Sequence, residues 1–247
     1  MAESELTGKS PRAADRPRVV RDDLVTLTYY RLRQAITSGA LAPGARVVER
    51  ELGQELGISR TPVRSALHRL QQEGYIAGMG NGARQLIIAP LTRADARELF
   101  AMVGVVEGLA AREAAQLPPL NRTRLVLELT RLNRELREEA ESARPQEGAI
   151  FELDAAFHLR CVESGAGPRL RGLHEALKPQ AERYARLYAS MLTSEMGTSV
   201  REHELIIRAL DEGEPELART RMETNWANAS SRLAEVMQRA GERSDWS

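Results

Sequence analysis

The sequence is poor in cysteine, in aromatic residues and in long apolar runs. Its one cysteine, Cys161, excludes a framework of internal disulfides and is typical of a protein from a reducing compartment. No apolar run reaches the roughly 18 residues that a membrane helix needs, and no charged-then-apolar leader opens the chain. We therefore expect no membrane span and no export signal, and we expect the protein to act in the cytoplasm.

Aromatic residues make up only 4% of the chain, whereas Leu, Ala, Arg and Glu dominate it. This composition favours helices that pack through aliphatic side chains. An excess of one charge is also absent, since 35 Lys and Arg balance 35 Asp and Glu. The balance is uneven, because residues 1–90 carry 13 basic against 9 acidic side chains and the remainder carries 22 against 26. A mildly basic front and a mildly acidic rear indicate two domains with different partners.

Three helices and two sharp turns are predicted in the front of the chain. Apolar residues at helical spacing place one helix between Asp22 and Gly39, and a Pro-Gly turn follows it. A short helix from Glu49 to Leu56 ends at Gly57, and the segment GISRTPVRSALHRLQQEGY then forms the next helix. Two short helices joined by a tight glycine turn form a helix-turn-helix, in which the second helix reads DNA.

The helix in that segment has two distinct faces. Its apolar stripe recurs at the spacing of a buried helix face and consists of Val63, Ala66, Leu67 and Leu70. Arg60 and Arg64 lie about a quarter-turn away from this stripe. From these residues alone, an ordinary surface helix with solvated arginines is as good an interpretation as a contact with nucleic acid, so the neighbouring segments must decide.

Two strand-like runs follow this helix, Tyr75–Met79 and Arg84–Ala89, and Asn81-Gly82 between them is a strong hairpin signal. A helix, a helix-turn-helix and then a hairpin is the order of a winged helix, which we place at residues 21–90. In that fold the second helix enters the major groove and the wing lies along the neighbouring backbone. Residues 1–20 are polar and lack periodicity, so we predict a disordered tail there.

After residue 90 the pattern is helical throughout. Thr92 and Asp95 form a capping box that opens a helix to about residue 116. Its predicted buried face consists of Leu99, Met102, Val106 and Ala110. Proline and glycine separate further helical stretches at about 121–144, 147–164, 168–196, 199–212 and 215–239. The fold class is therefore mainly α, with an all-α bundle of about six helices at residues 91–240 and a frayed tail at 241–247.

The run ITSGALAPGARVVERELGQELGISRTPVRSALHRLQQEGYI resembles the DNA-binding domain of GntR-family bacterial transcription regulators. The helical rear resembles the FCD effector domain of the FadR/VanR branch, and the count of about six helices favours the VanR-like form. The resemblance spans roughly residues 22–240. It implies a winged helix-turn-helix followed by a helical domain that binds an effector and dimerises.

The resemblance implies DNA contacts for a set of residues in the front domain. Arg60 and Arg64 would project from the first turns of the reading helix, where guanidinium groups bind guanine edges or phosphates. Two neighbouring hydroxyls are predicted phosphate contacts, and the wing tip is predicted to reach the minor groove. The full set of predicted contacts is Arg50, Arg60, Thr61, Arg64, Ser65, Asn81 and Gly82.

The resemblance also implies a metal site. Many FCD domains bind a divalent metal through Asp-x-x-x-His and two later histidines, the last of them 22 residues after the previous one. Asp154, His158 and His203 match three positions, but the fourth is Asn225, whose amide oxygen suits zinc or nickel less well than imidazole. From the residues alone, Asp154 and His158 share a helix face, where a hydrogen-bonded surface pair is commoner than a pair of metal ligands. Three outcomes stay open: a metal (Zn, Ni or Mn) held by three side chains and water, a weaker site, or no metal.

The function that the resemblance implies is ligand-responsive regulation of transcription, with repression the commoner arrangement. A homodimer would present two reading helices to a pseudo-palindromic operator in double-stranded DNA. A small organic or sugar acid inside the bundle would release it. Arg183 and Arg186 are candidate contacts for that acid, whereas Val103 stands where the family often has an arginine. His174 matches no ligand position and is predicted to be structural.

Two other classes of function fit parts of the sequence. A metal-dependent hydrolase would use Asp154, His158 and His203 around an open coordination position. No general base, nucleophile elbow or phosphate loop accompanies these residues, so we expect no enzyme. An architectural DNA binder without a ligand would not need a second domain of about 150 residues.

Overall fold

The computed structural model describes residues 18–79 and 85–240. The predicted wing tip, Asn81-Gly82, lies outside these residues, as do the predicted tail up to residue 17 and the predicted frayed end at 241–247. Residues 18–20, predicted as part of the tail, are helical, because no proline or glycine separates Arg18 from Asp22 and the first helix extends back. Among the described residues, every helix is too short or too polar to cross a bilayer.

The front of the chain folds into three helices and a three-stranded antiparallel sheet. The helices are α1 (Arg18–Thr37), α2 (Glu49–Leu56) and α3 (Arg60–Gln72). The strands are β1 (Arg46–Val47), β2 (Ile76–Met79) and β3 (Gln85–Ile88), in the order β1-β3-β2. The predicted helix-turn-helix and hairpin are therefore confirmed. β1 is an additional strand, too short for its two residues to show a pattern in the sequence.

The two faces predicted for α3 are also confirmed. Its apolar stripe is buried and packs against α1 through Tyr29, Leu32 and Ile36. The turn before α3 depends on Gly57, which has a φ of 65° and donates its amide to the Gln54 carbonyl at 3.3 Å, while the next amide, that of Ile58, donates to the Gly53 carbonyl at 2.9 Å. Ser59 occupies the N-cap position of α3, but its side chain makes no capping hydrogen bond. The start of α3 is thus set by the glycine turn rather than by the serine hydroxyl.

The rear of the chain is all-α. α4 (Arg93–Ala115) begins at the predicted capping box, where the Thr92 hydroxyl accepts a hydrogen bond from the Asp95 amide at 3.2 Å. The helices that follow are α5 (Pro119–Ala140), α6 (Glu147–Gly165), α7 (Pro168–Leu187), α8 (Ala189–Leu192), α9 (Met196–Glu212) and α10 (Pro215–Ala240). One turn of 3-10 helix, Thr193–Glu195, separates α8 from α9. α4 packs against α6, α7, α9 and α10 and is the central helix of the bundle.

The described rear contains seven α-helices rather than about six. The stretch 168–196, predicted as one helix, is divided into α7, α8 and the 3-10 turn, and the first division falls at Tyr188. Neither proline nor glycine marks that point in the sequence. The side chain of Tyr188 is 1% exposed and belongs to the core of the bundle. Tertiary packing therefore sets this break, which local sequence does not encode.

One residue of the predicted buried face of α4 is exposed. Leu99, Val106 and Ala110 are buried as predicted, but Met102 is 40% exposed and Val105 is 47% exposed. The helix is apolar on most sides, so periodicity could not identify which face points inward. Val105 also borders a shallow groove between α4 and α10 that is lined mainly by small residues.

α7 is hydrogen-bonded to the front domain. Arg33 of α1 donates to the carbonyl of Glu175 at 2.8 Å and to the hydroxyl of Tyr75 at 3.2 Å. From α7, Arg183 donates to the carbonyl of Ala89 at 3.1 Å. Because Tyr75 lies between α3 and β2, these bonds connect the bundle to the segment that follows the reading helix.

Candidate functional site

The outer face of α3 carries most of the residues predicted to contact DNA. Arg60, Thr61, Arg64 and Ser65 are exposed on the side of the helix away from its buried stripe, and Arg50 of α2 is exposed as well. Guanidinium and hydroxyl groups on an outward helix face have the chemistry to bind phosphates and guanine edges.

Arg64 is paired with Glu49, the first residue of α2. The Arg64 Nε lies 3.2 and 3.1 Å from the two carboxylate oxygens, and the side chain of Arg64 remains 71% exposed. The hydrogen bond to Glu49 and its charge raise the pKa of Arg64 above its usual value. The guanidinium is therefore held at the surface by an acceptor that a phosphate or a base can replace.

In the rear domain, three of the predicted metal ligands lie together. Asp154 and His158 are one turn apart on α6, and His203 lies on α9. Their ligand atoms all lie within 4.8 Å of one another, and His203 Nε2 is 3.6 Å from Asp154 Oδ1. Two imidazole nitrogens and a carboxylate are a donor set suited to zinc, nickel or manganese.

The ring of His203 is oriented by Asn133 on α5. The amide nitrogen of Asn133 donates to the Val200 carbonyl at 3.0 Å, so its Oδ1 accepts from His203 Nδ1 at 3.1 Å. Burial first, and then the nearby His158 and Lys178, hold the pKa of His203 well below its usual range. The ring is therefore neutral, with its proton on Nδ1.

The other ring nitrogen of His203, Nε2, is buried and has no hydrogen-bond partner among the described residues. The same ring stacks on Phe157, with centroids 3.9 Å apart and planes 6° apart. An unpartnered lone pair on a neutral, fixed imidazole, aimed toward Asp154, is what a metal ligand requires. The residues present therefore fit a divalent ion.

His158 is held by a buried carboxylate that sequence reasoning did not identify. Glu107 on α4 is fully buried, and its Oε2 contacts His158 Nδ1 at 2.6 Å and Trp226 Nε1 at 2.7 Å. Its Oε1 contacts His174 Nε2 at 2.9 Å and Lys178 Nζ at 3.4 Å. With Nδ1 of His158 engaged in this way, Nε2 is the nitrogen left for a ligand.

Glu107 is also the buried carboxylate to which the nearby charged and polar groups of the bundle bond. Burial opposes ionisation, but Lys178, together with His158 and His174, outweighs it and holds the pKa of the Glu107 carboxyl well below its usual range. His174 is thus structural, as predicted, and its task is to hold Glu107. Lys178 supplies a cation where Val103, fully buried, stands in place of the family arginine. The available signal for this network was that Glu107 is the one charged residue of the apolar stretch FAMVGVVEGLAA in the middle of α4.

Asn225, the doubtful fourth ligand, has its amide nitrogen turned away from the other three. Its Nδ2 donates to Glu202 Oε2 at 2.8 Å, and Asn228 donates to the other oxygen of Glu202 at the same distance. The carbonyl oxygen is therefore the end of Asn225 that remains for the site. Asn225 lines the same cavity as Asp154 and His158.

That cavity has a volume of about 110 Å³ and lies between α6, α7 and α10, with α8 closing one end. The two arginines predicted to contact an effector are not brought to its lining. Arg183 is 5% exposed and donates to the front domain, and Arg186 stacks behind Phe151, with Cζ 4.2 Å from the ring centroid. Lys178 and Arg232 are the lysine and arginine that line the cavity among the described residues.

Two family models match the chain: "Bacterial regulatory proteins, gntR family" over residues 25–81 and "FCD domain" over residues 98–228. An HTH-type transcriptional regulator in an unstable DNA locus of Streptomyces ambofaciens is 32% identical over 198 residues, which cover 80% of this chain and 79% of that protein. Another, from the TAR-I ttuE-ttuC' intergenic region of Agrobacterium vitis, is 33% identical over 114 residues, or 46% of this chain and 61% of that protein.

A solved structure has the same fold. McbR/YncC of E. coli superposes with a TM-score of 0.65 at 23% sequence identity, over 88% of this chain and 99% of that one. The FCD match alone covers more than half of the chain, and these relatives are transcriptional regulators rather than enzymes. The chain belongs to the GntR family of bacterial regulatory proteins, with an FCD domain behind its DNA-binding helix-turn-helix, and is a transcription regulator.

Proposed function

We propose that the protein is a ligand-responsive repressor, which binds a pseudo-palindromic operator as a homodimer and is released by a small carboxylate. The observation that carries this proposal is the combination of an exposed, arginine-bearing helix with a buried ligand set that borders a cavity in the second domain. A ligand alters DNA affinity only if it binds the DNA-bound and released conformations differently. A cavity lined by residues of six packed helices offers such a difference.

In the proposed complex, α3 enters the major groove. Arg60 and Arg64 contact guanine edges or phosphates, where a good base contact is worth on the order of 1–3 kcal/mol of discrimination. Phosphates and the minor groove are the proposed targets of Arg50, Thr61, Ser65, Asn81 and Gly82.

The rear domain is proposed to hold a divalent metal through Asp154, His158 and His203, with Asn225 or water beside them. The buried, unpartnered Nε2 of His203 supports this proposal. When bound, a zinc, nickel or manganese ion supplies positive charge and an open coordination position for a carboxylate. Glu107 and Asn133 contribute by fixing the two imidazole rings through their Nδ1 atoms.

A second copy of the chain is the proposed partner in solution. The exposed Met102 and Val105, and the small residues of the groove between α4 and α10, give that face the apolar surface of a self-contact. Light scattering is expected to give twice the chain mass of 27.4 kDa. Val105→Glu is expected to shift the mass toward a monomer, whereas Leu127→Glu, on the exposed face of α5, leaves it unchanged. A monomeric wild type contradicts this part of the proposal.

The decisive test measures binding of the full-length protein to promoter fragments from its own chromosomal neighbourhood by fluorescence anisotropy. We expect salt-sensitive binding that prefers one inverted repeat, release of the DNA by a carboxylic acid, and loss of that release when a chelator is present. Binding without sequence preference contradicts DNA reading. Binding that no carboxylic acid alters supports an architectural role instead.

A further inference from the structure

The polarity of the residues that line the cavity in the rear domain differs between its two ends. α6 and α7 run antiparallel beside it: His158 and Lys178 meet at one level through Glu107, whereas Phe151 and Arg186 meet at another. The first level is the inner end of the cavity and the second is its outer half. Since an α-helix rises about 1.5 Å per residue, the two levels on α7, at Lys178 and Arg186, are roughly 12 Å apart.

Polar and apolar lining residues separate between these two levels. The inner end carries the polar groups Asp154, His158, Lys178 and Asn225 beside the rings of Phe100 and Trp226. The outer half is lined mainly by apolar side chains, those of Ile150, Phe151, Ala185, Ala189, Leu192 and Met196, with Thr193 among them. A molecule that fills the cavity would therefore have a polar group at one end and an apolar body along the rest of its length.

Lys178, a lining cation in the described part of the chain, lies at the inner end, where its Nζ is 3.4 Å from Glu107 Oε1. Arg232, the other lining cation, is held by Glu202, 3.1 Å from Nη1, and by the Ser199 hydroxyl, 3.1 Å from Nη2. Toward the opening the charged lining residues are all acidic, and they are Glu147, Glu182 and Glu195. A negative group fits the inner end, whereas a second negative group at the outer end would face these carboxylates.

We infer that the effector is a monocarboxylate with an apolar body, and that the cavity selects against dicarboxylates and polyhydroxylated sugar acids. This inference rests on the proposed function, and it narrows the organic or sugar acid expected from the sequence to one chemical class. Each methylene buried in the outer half improves affinity about fourfold. Hydroxyl groups that lie against the apolar walls of that half lose their hydrogen bonds to water, and a distal carboxylate is repelled by the acidic opening.

Hexanoate, adipate and gluconate test this selection because they share a carbon count and differ only in the body or the far end. Each acid is titrated calorimetrically into the full-length protein in the presence of zinc chloride, with acetate as the short reference. We expect hexanoate to bind at least about tenfold more tightly than adipate, gluconate or acetate. Equal or tighter binding of adipate or gluconate overturns the inference but leaves a carboxylate effector in place. If none of the four acids binds, the proposed function and the inference fail together.

Two variants locate the body of the acid. Ala185→Leu fills the outer half, so the affinity for hexanoate is expected to fall toward that for acetate, while the exposed Ala143→Leu leaves it unchanged. Glu182→Gln removes charge from the opening without changing the shape of the side chain. It is expected to raise the affinity for adipate severalfold and to leave hexanoate unaffected. Hexanoate binding that is insensitive to Ala185→Leu, or an unchanged affinity for adipate in Glu182→Gln, overturns the inference.

Discussion

Arg64 and Glu49 form an ion pair between the two helices of the helix-turn-helix, with Nε and NH2 of the arginine each 3.1 Å from Oε2 of the glutamate. The arginine side chain is largely exposed, so the pair adds little to stability. Its effect is on position, because α2 holds the guanidinium at the outer face of α3. In the proposed complex, binding to DNA would exchange the Glu49 carboxylate for a phosphate or a base edge as the partner of Arg64.

Arg64→Ala is expected to weaken operator binding by about tenfold or more and to relax the preference at one base pair, because a guanidinium contact with a base edge is lost. Fluorescence anisotropy with the operator and with single-base variants of it measures both effects. Arg144→Ala, an exposed arginine of the rear domain, is the control and should bind as wild type does. An unchanged affinity and base preference in Arg64→Ala would remove this residue from the proposed interface.

Glu49→Gln is expected to strengthen DNA binding severalfold, since it releases Arg64 from a competing carboxylate and removes a negative charge beside the phosphates. The same anisotropy titration at several salt concentrations measures the change. The double variant with Arg64→Ala should lose most of the gain. If Glu49→Gln binds more weakly, the ion pair is required to orient the arginine rather than merely competing for it.

Asn133→Leu is expected to lower the affinity for zinc by about 10- to 100-fold, because His203 loses the acceptor that fixes its proton and its ring. Asn133→Asp retains the acceptor and should retain most of the affinity, which separates orientation from packing. The exposed Asn121→Leu is the surface control. Chelator-competition titration gives the affinities, and thermal unfolding in chelator reports any general loss of folding. Equal zinc affinities in all three variants would exclude an orienting role for Asn133.

Asn225→His is expected to tighten zinc binding by about tenfold, because an imidazole nitrogen is a better zinc ligand than an amide oxygen. Asn228→His, one turn away and bonded to the same Glu202, is the matched control and should have no such effect. Calorimetry with zinc chloride compares the two. Identical affinities would mean that residue 225 does not face the ion, and the fourth position would then belong to water.

Glu107→Gln is expected to lower the free energy of unfolding by about 3 kcal/mol, because the buried Lys178 loses its counter-charge. Adding Lys178→Met to this variant should recover part of the loss, since it removes the cation left without a carboxylate. Urea unfolding followed by circular dichroism measures both. A single variant as stable as wild type would show that Glu107 is not the electrostatic centre of the bundle.

The front domain could be predicted closely from the sequence because its signals are local. The stripe of Val63, Ala66, Leu67 and Leu70 has helical spacing, and Gly57 marks a turn that only a few residue types tolerate. In the rear domain, the family spacing identified Asp154, His158 and His203, which the structure brings together.

Other parts of the site depend on contacts between residues distant in sequence. Asn133 and His203 are 70 positions apart in the sequence, and Lys178 and Glu107 are 71 positions apart. No local sequence pattern therefore predicts either contact. The orientation of α7 was equally hidden. Arg183 was a candidate contact for an acid effector, whereas its side chain donates to the carbonyl of Ala89 in the front domain.

α7 is attached to the front domain at two points. One side of this helix lines the cavity of the rear domain, and two hydrogen bonds, from Arg33 to the Glu175 carbonyl and from Arg183 to the Ala89 carbonyl, join it to the front domain. In the proposed regulator, an acid that displaces α7 would strain or break these bonds. Because Arg33 also bonds the hydroxyl of Tyr75, beside the end of the reading helix, the displacement would reach the segment that we propose contacts DNA.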